Sequence, residues 1–324
     1  MDGNDTRPQP HGRGGDLLAA IRSGDPAAVG YLLGWRFVRW LPGSVARRLF
    51  NLGADLVSDR GRGMEQLRAN LSRVVGPENV TRELVRASVR SYARYWSEAF
   101  RLPVLAGNPD LLGQLAPNVV GLHTLDAAVA SKRGLVLVLP HTGNWDMAGL
   151  LMAQRYGRFT TVAERLRPEV LYDAFVRFRT DLGFEVLPLT GGPAPFPVLR
   201  ERLESGGIVC LMGERDLRHT GVTVEFFGEP TRMPSGAVRL ARETGAALHV
   251  AHSYFTPEGW GFSVSDEIDV DTDIVASVQK MADIFAANIA AYPVDWHMLQ
   301  PLWLADLDTD RLRRGVVRRE AEAA

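Results

Sequence analysis

The chain has 324 residues, of which 46% are hydrophobic, and it carries 37 basic and 38 acidic side chains. The formal net charge of −1 excludes a general electrostatic attraction to nucleic acid. Cys210 is the single cysteine, which excludes an internal disulfide framework and a cysteine-rich zinc site. A chain of this length and composition buries a large core, either as one large α/β domain or as two small ones.

Three parts of the chain differ in composition. Residues 1–15 are rich in Gly, Pro and Asp, which predicts a disordered N-terminal tail. We predict a single α/β domain over residues 16–305, followed by a charged C-terminal tail over residues 306–324.

The first part of the domain, residues 16–100, has the pattern of helices, with breaks near Pro42 and at Gly76-Pro77. Residues 31–100 contain twelve Arg against six acidic residues, so this part of the chain is locally basic.

Residues 31–41 and 44–57 are apolar segments with interspersed Arg. A basic, Trp-bearing amphipathic surface can lie on anionic lipid. An ordinary helical layer that packs on the core explains the same pattern, and on the residues alone it is the simpler interpretation. The side chains predicted to face a membrane are Trp35, Arg36, Arg39, Trp40, Arg47 and Arg48.

From residue 134 onward, strand-like and helix-like segments alternate, which predicts a central β-sheet with helices on both faces. The predicted strands span residues 135–139, 159–163, 184–189, 207–211, 222–227, 247–253 and 260–265. The predicted helices span residues 144–156, 168–181, 194–205, 234–244 and 272–291. The segment Phe226–Ala237, with two Pro and two Gly, joins an extended segment to a helix, and it is either a loop that faces the site and contributes to a ligand tunnel or a plain connection.

The most informative segment is His141-Thr-Gly-Asn-Trp-Asp146, which directly follows the apolar run of residues 134–140. The spacing alone is weak, because His11 and Asp16 show the same separation in a Gly-rich segment with no strand before it. Strand, tight turn and helix place His141 at the carboxyl end of a strand, where open α/β sheets carry their sites. An imidazole and a carboxylate there can act as a base and its orienting partner, which predicts proton abstraction from a hydroxyl.

Other charged residues follow predicted strands and helices. Glu214, Arg215 and Asp216 emerge directly from a buried strand, and Glu164 follows another strand. Surface ion pairs also explain such charges, but a strand end beside the His141 turn favours a functional position. Arg179 lies at the end of a helix, where a cation is favourable even without a functional role.

Rival chemistries find no support in the motifs. The chain has no Gly-x-Ser-x-Gly elbow, no Walker loop, no Gly-x-Gly-x-x-Gly after a strand and no His-Glu-x-x-His. His249 and His252 lie three residues apart on a predicted strand and point to opposite faces, so we predict no metal. Cys210 lies in an apolar run and is interpreted as a buried structural thiol.

The order of the motifs along the chain is recognisable. The segments are His141-x-Gly-Asn-Trp-Asp146, Arg179-x-x-Leu-Gly183, Glu214-Arg-Asp216, Phe226-Phe-Gly228 and Leu240-Ala-Arg-Glu-Thr-Gly-Ala246. This ordered set, over roughly residues 30–305, resembles the bacterial lipid A biosynthesis acyltransferase family. Within that family, the Arg-rich composition and the Glu-Arg-Asp triplet are most similar to the actinobacterial phosphatidylinositol mannoside acyltransferases.

The resemblance implies transfer of a long acyl chain, palmitoyl, from coenzyme A to a sugar hydroxyl of a phosphatidylinositol mannoside. No cofactor is expected, since acyl-coenzyme A is a co-substrate. His141 would be the general base, Asp146 would hold its ring, and attack would be direct, without an acyl-enzyme. Glu214 would orient the sugar or help to deprotonate it, and Arg179 would bind phosphate or steady the anionic intermediate. Substrate contacts are expected for Glu164, Arg215, Asp216 and Glu243.

The resemblance also implies a peripheral enzyme on the cytoplasmic face of the cell membrane, bound to the anionic inner leaflet. No segment has the run of about 18 uninterrupted apolar residues that a spanning helix needs, and the first residues lack the apolar core of a signal peptide. Two alternatives stay open. The acceptor is a lipid A precursor or a lysophospholipid, or the protein binds lipid on this fold without turnover.

Overall fold

The computed structural model describes residues 26–165, 169–217, 220–257, 259–270 and 272–307. The predicted tail of residues 1–15 lies outside the described residues, as do the first ten residues of the predicted helical part and the chain beyond residue 307. Residue 306, the predicted start of the C-terminal tail, belongs to the fold, because both carboxylate oxygens of Asp306 accept hydrogen bonds from Arg73, the shorter at 2.7 Å.

The N-terminal part is helical, as predicted. Its helices are α1 (Pro26–Trp40), α2 (Gly43–Val57), α3 (Glu65–Val75) and α4 (Arg82–Leu105). The breaks fall at Pro42 and at Gly76-Pro77, where Gly76 has a positive φ of 85° that ends α3. The hydroxyl of Thr81 accepts the N–H of Leu84 and caps α4, which packs against α1 and α2.

Within the described ranges, seven strands form one mixed sheet, with the order β1-β9-β8-β2-β5-β3-β4. The strands of the sheet are β1 (Val119–Val120), β2 (Leu135–Leu139), β3 (Phe159–Ala163), β4 (Phe184–Pro188), β5 (Ile208–Met212), β8 (Ala247–Phe255) and β9 (Trp260–Val264). All neighbours are parallel except β8 and β9. The strands predicted from residue 134 onward are confirmed to within two residues at each end.

The remaining helices connect and cover this sheet. They are α5 (Leu111–Leu115), α6 (Leu122–Ala130), α7 (Trp145–Tyr156), α8 (Glu169–Asp181), α9 (Pro195–Glu204), α10 (Gly236–Thr244) and α11 (Ile274–Ala291). Along each strand the side chains alternate between the two faces. Val136 and Val138 pack in a core with α9, α10 and α11, whereas Leu137 and Leu139 pack in a second core with α7. The predicted fold class, an α/β sheet with helices on both faces, is confirmed.

Two strands were not predicted. β1 has only two residues, and β7 (Glu229–Met233) pairs with β6 (Val222–Phe226) in an antiparallel hairpin within the segment that was predicted to be a loop or a connection. Phe227 and Gly228 both have positive φ, as a tight two-residue hairpin turn requires. Pro230 is tolerated because a two-stranded ribbon has free edges that need no N–H.

Among the described residues, one helix, α11, is long and apolar enough to cross a membrane by length and composition. Met281, Phe285 and Ile289 on one face of α11 are fully buried in the core that α9, α10 and α11 form with Val136 and Val138. The apolar character of this face of α11 is therefore explained by core packing.

Candidate active site

The predicted turn between β2 and α7 has a shape that its own residues impose. Gly143 has a φ of 52°, and a Cβ at this position would lie 2.5 Å from the carbonyl oxygen of Ser253. The side chain of Asn144 accepts the N–H of Met147 at 2.9 Å and caps α7. Glycine and a capping residue are thus required where the sequence has them.

Glu98 of α4 holds this cap in place from outside the turn. The Asn144 amide donates to the Glu98 carboxylate at 2.8 Å, and the indole N–H of Trp260 donates to the same oxygen at 2.7 Å. Arg94 donates to the other Glu98 oxygen at 2.7 Å. Because the polar groups of this buried cluster are paired, the start of α7 is rigidly positioned.

The ring of His141 contacts Glu214. The Nδ1 atom lies 2.7 Å from Glu214 Oε1, and the backbone N–H of His141 donates to the same oxygen at 2.5 Å. Leu139 pairs with Met212 in the parallel register. His141 and Glu214 each lie two residues beyond this pair, so both follow their strands at the same edge of the sheet. With Nδ1–H donated to a carboxylate, the neutral ring presents Nε2 as a proton acceptor. Within the described part of the chain, Nε2 has no hydrogen-bond partner.

Asp146 has other partners than the one predicted for it. Its carboxylate accepts the Tyr95 hydroxyl at 2.9 Å and the Arg179 Nε–H at 2.9 Å, and only 1% of the residue is exposed. The prediction that Asp146 orients the His141 ring is therefore corrected, because Glu214 takes that place. The five-residue spacing predicted that His141 and Asp146 lie at one turn. It did not predict that Tyr95 of α4 and Arg179 of α8 contact Asp146 there.

Arg179 is a partner of Asp146 at the start of α7, which sequence reasoning did not foresee. Burial acts to lower the pKa of Arg179, but the negative charge of Asp146, which accepts a hydrogen bond from Arg179, raises it above its usual range. The burial of Tyr95, with the Asp146 charge beside it, raises the pKa of the phenol. Both groups keep their protons, and the cluster binds α4, α7 and α8 together below the turn.

The segment of residues 295–297, which follows α11, forms backbone hydrogen bonds with the turn. The N–H of Gly143 donates to the carbonyl of Asp295 at 2.9 Å, and the N–H of His297 donates to the carbonyl of His141 at 2.8 Å. The His297 ring lies 3.0 Å from the hydroxyl of Ser91. Burial, with the nearby His141, lowers the pKa of His297 to about 3. The neutral ring faces the cavity described next, although no local pattern in the sequence pointed to His297.

A cavity of about 1010 Å³ opens beside His141. Its wall contains the predicted site residues His141, Asp146, Glu164, Arg179, Arg215 and Asp216. Apolar side chains from the sheet, α7 and α8 form most of the remaining lining. The cavity therefore joins a basic nitrogen and several charged groups to a large apolar space.

Glu164, Arg215 and Asp216 differ in exposure and in hydrogen-bond partners. Glu164 is exposed at the cavity wall, and Arg215 lines the cavity without a hydrogen-bond partner in the described structure. Asp216 accepts the N–H groups of Thr220 and Gly221, so it braces its own loop.

Glu243 lies outside the cavity lining. It is exposed on α10 and pairs at 3.6 Å with Arg239, which does line the cavity. The substrate contact expected for Glu243 stays a prediction.

No group of three or more His, Cys, Asp or Glu side chains in the described ranges is placed to hold a metal ion. His249 and His252 lie on opposite faces of β8, as predicted. His249 Nδ1 lies 2.9 Å from the carbonyl of Ser265, and His252 Nδ1 lies 3.0 Å from the Thr142 hydroxyl. Cys210 is buried, as predicted for a structural thiol, and burial raises its pKa.

A second surface lies on α1 and α2, away from these polar groups. Apolar side chains three or four residues apart on each helix are exposed, and we call them the apolar face: Leu33, Phe37, Trp40, Leu49, Leu52 and Leu56. Trp40 is 80% and Leu56 82% exposed. Arg47 and Arg48 are exposed on α2, and the Arg39 guanidinium lies 5.9 Å from the Trp40 ring centre.

Trp35 points away from the apolar face. Its indole N–H donates to the carbonyl of Phe100 at 3.1 Å, and its ring packs on Phe175 and Phe178. The expectation that Trp35 faces a membrane is corrected, because it lies on the inner side of α1. The side chain of Arg36 lies outside the described residues.

Comparison with known proteins defines the class. Residues 27–305 match the family described as bacterial lipid A biosynthesis acyltransferase, and the chain belongs to this family. It is therefore an O-acyltransferase, and the resemblance drawn from the ordered motifs is confirmed.

Two relatives carry a more particular name. The chain is 54% identical over 295 residues to the phosphatidylinositol mannoside acyltransferase of Mycolicibacterium smegmatis, a match that covers 90% of this chain and 96% of the relative. It is 55% identical over 285 residues to the phosphatidylinositol mannoside acyltransferase of Mycobacterium tuberculosis, covering 87% and 90% of the two chains.

Proposed function

We propose that this protein transfers a palmitoyl-class acyl chain from coenzyme A to a sugar hydroxyl of a phosphatidylinositol mannoside. The names of its relatives support the acceptor. The observation that carries the proposal is the His141 ring, which is anchored by Glu214 at the mouth of an apolar cavity large enough for a long chain.

A sugar hydroxyl is a weak nucleophile at neutral pH, so a base must take its proton as the new bond forms. His141 Nε2 takes the proton, the acceptor oxygen bonds to the thioester carbon, and the carbon–sulfur bond breaks. The coenzyme A thiolate leaves and receives the proton from the imidazolium. Glu214 keeps the Nδ1–H tautomer and stabilises the charged ring during the transfer.

The acyl chain goes directly to the acceptor in this proposal. Cys210 is the single cysteine, and the raised pKa of its buried thiol makes it a poor nucleophile. Asp146 and Arg179 act as positioning residues, because they hold α7 below the turn. Arg215 at the cavity wall is suited to a phosphate of either substrate.

The test is an assay with purified protein, palmitoyl-coenzyme A and mannosylated phosphatidylinositol, with detection of free coenzyme A and of the acylated product by mass spectrometry. We expect His141→Ala to lower the rate by about 10²- to 10⁴-fold, the usual contribution of a general base. Glu214→Gln should lower the rate as well. The matched control is Glu267→Gln, the same change at an exposed residue that pairs with Arg133 outside the cavity lining, which should leave the rate unchanged.

Full activity of His141→Ala would contradict the mechanism. Coenzyme A release with a lipid A precursor or a lysophospholipid, but not with the mannoside, would change the acceptor. Acyl-chain binding without release of coenzyme A from any of the three would favour a lipid-binding protein instead.

We further propose that the apolar face lies on the cytoplasmic surface of the cell membrane. Exposed apolar side chains grouped in this way mark a surface that a partner or a membrane covers, and the Arg neighbours on α2 suit anionic lipid. In flotation with anionic vesicles, the double variant Leu52→Glu/Leu56→Glu should lose most of its binding. Val275→Glu, an exposed valine in the first turn of α11, is the control and should still float. Equal flotation of the double variant and the wild type would contradict this orientation.

A further inference from the structure

We call the part of the cavity on the side of the sheet that α7 covers the branch. The strand register divides this branch into three levels, counted from His141 toward the start of β2. Leu139 pairs with Met212, Leu137 with Cys210 and Leu135 with Ile208. Residues two apart on a strand face the same side, so these three pairs lie at successive depths on the side of the sheet that α7 covers. The first pair lies nearest to His141 and the third pair lies farthest from it.

Both residues of the first two pairs line the cavity, but neither Leu135 nor Ile208 does. At this third level the lining comes from Phe159 and Phe184 instead. Since Thr161 pairs with Cys210, Phe159 lies two residues deeper, level with Ile208, and it pairs with Phe184. The two rings lie 4.5 Å apart and are almost fully buried. They form the floor of this branch.

The depth suits a lipid chain. Six residues of strand separate position 141 from the level of Leu135, which amounts to about 20 Å at the usual rise per residue. One leaflet of a bilayer has about half of the ~30 Å hydrocarbon thickness, or about 15 Å. The branch therefore holds a chain of the length found in membrane lipids, and not a chain much longer.

Gly149 of α7 keeps the two rings in this position. It lines the cavity, and a Cβ at this residue would lie 2.6 Å from Phe184 Cζ and 3.2 Å from Phe159 Cζ. Any larger residue there must displace the rings or fill the space above them. The floor is thus built from one glycine and two aromatic side chains.

We infer that the Phe159–Phe184 ring pair, under Gly149, is the stop that sets the longest acyl chain the protein accepts. This inference rests on the proposed function, because it assigns a specificity determinant to the same cavity. The acyl chain enters beside His141 and ends at the rings, so a change at the floor alters chain length without touching the reacting atoms.

The experiment measures initial rates with lauroyl-, myristoyl-, palmitoyl-, stearoyl- and arachidoyl-coenzyme A at a fixed acceptor concentration. Phe184→Leu opens the floor, so the rate with stearoyl- relative to palmitoyl-coenzyme A should rise by about tenfold, the lower end of what a pocket discriminates per methylene. The matched control is Phe285→Leu, the same change at a fully buried core residue outside the cavity lining, which should keep the wild-type profile.

Gly149→Ala tests the opposite direction. The added methyl group occupies the floor, so the preferred donor should shift from palmitoyl toward myristoyl or lauroyl. Retained activity with the shorter donors shows that the variant is folded. Opposite shifts in the two variants would support the stop, whereas peaks at the wild-type chain length in both would overturn it.

A second readout does not need turnover. Competition of free fatty acids of the same series against a fluorescent fatty acid reports chain length by binding alone. If the wild type releases no coenzyme A from any donor, the proposed function fails, and the binding profiles of Phe184→Leu and Gly149→Ala still decide the role of the rings. Unshifted binding profiles would overturn it.

Discussion

The turn at His141 and the apolar face on α1 and α2 differ in the kind of side chain that each exposes to water. At the turn, Asn144, Asp146 and Glu214 are buried, and each has a partner from a remote part of the chain. On the apolar face, Phe37 is 62% and Leu52 60% exposed. One region removes polar groups from water and pairs them, and the other leaves apolar groups in water.

On the function proposed above, this difference separates catalysis at the turn from membrane attachment by the apolar face. Buried polar groups with hydrogen-bond partners hold a reactive group in one geometry, which is what acid–base catalysis requires. At the turn, Glu214 Oε1 is paired in this way, whereas Glu214 Oε2 is buried without a hydrogen-bond partner among the described residues. An exposed apolar patch has no such order and gains free energy only when a partner covers it. Changes at the turn should therefore alter stability and rate, and changes on the apolar face should alter binding to a surface.

The largest effect on stability is expected for Asp146→Asn. It leaves the buried Arg179 guanidinium without its charge partner, so the free energy of unfolding should fall by about 3–5 kcal/mol. Denaturant unfolding measures it. Asp126→Asn is the control, because Asp126 pairs with Arg155 in a half-exposed position where such a change costs about 0–1 kcal/mol. Equal losses in the two variants would mean that the cluster below the turn does not stabilise the fold.

Two tryptophans of α1 give a sharper comparison within one helix. Trp35→Ala removes a ring packed against α4 and α8, and we expect a loss of about 3 kcal/mol in unfolding free energy. Trp40→Ala should leave stability within about 0.5 kcal/mol and should weaken vesicle binding instead. Thermal unfolding and flotation of both variants measure the two effects. The division of α1 into an inner and an outer side is wrong if Trp35→Ala reduces flotation without reducing stability.

A smaller effect is expected with pH, from the buried rings near the turn. Burial lowers the pKa of His297 to about 3 and that of His252 to about 4. The unfolded chain takes up protons below pH ~6.5 and the folded chain does not, so stability is complete above that pH and is lost as the pH falls toward 4. Each ring contributes a slope of up to about 1.4 kcal/mol per pH unit.

Unfolding curves at a series of pH values between about 6.5 and 5 measure this slope. His297→Asn should reduce this slope by the contribution of one titrating ring, up to about 1.4 kcal/mol per pH unit, whatever the free energy of unfolding of the variant. The raised pKa of Asp295 acts with the opposite sign and belongs to lower pH values, nearer to the usual range of carboxyl groups. An unchanged slope would show that His297 titrates normally.

Much of the fold followed from local pattern. The strand of residues 135–139 was predictable because a continuous apolar run between Gly134 and Pro140 suits a strand buried on both faces. β7 was missed because Pro230 argues against a strand, and only the hairpin turn at Phe227-Gly228 places it beside β6. Trp35 was misassigned because helical spacing gives the two sides of α1 but not which side packs inward.

The sequence by itself determined the family, the α/β class and the position of His141 at a strand end, since each depends on residues close together in the chain or on the order of motifs. The tertiary structure alone decided that Glu214 holds the ring, that Asp146 pairs with Arg179, and that Phe159 and Phe184 line the cavity. These contacts join segments remote in sequence, and their partners depend on strand register and helix packing, which local patterns do not encode. The His–Asp spacing located the site, and the fold assigned the roles within it.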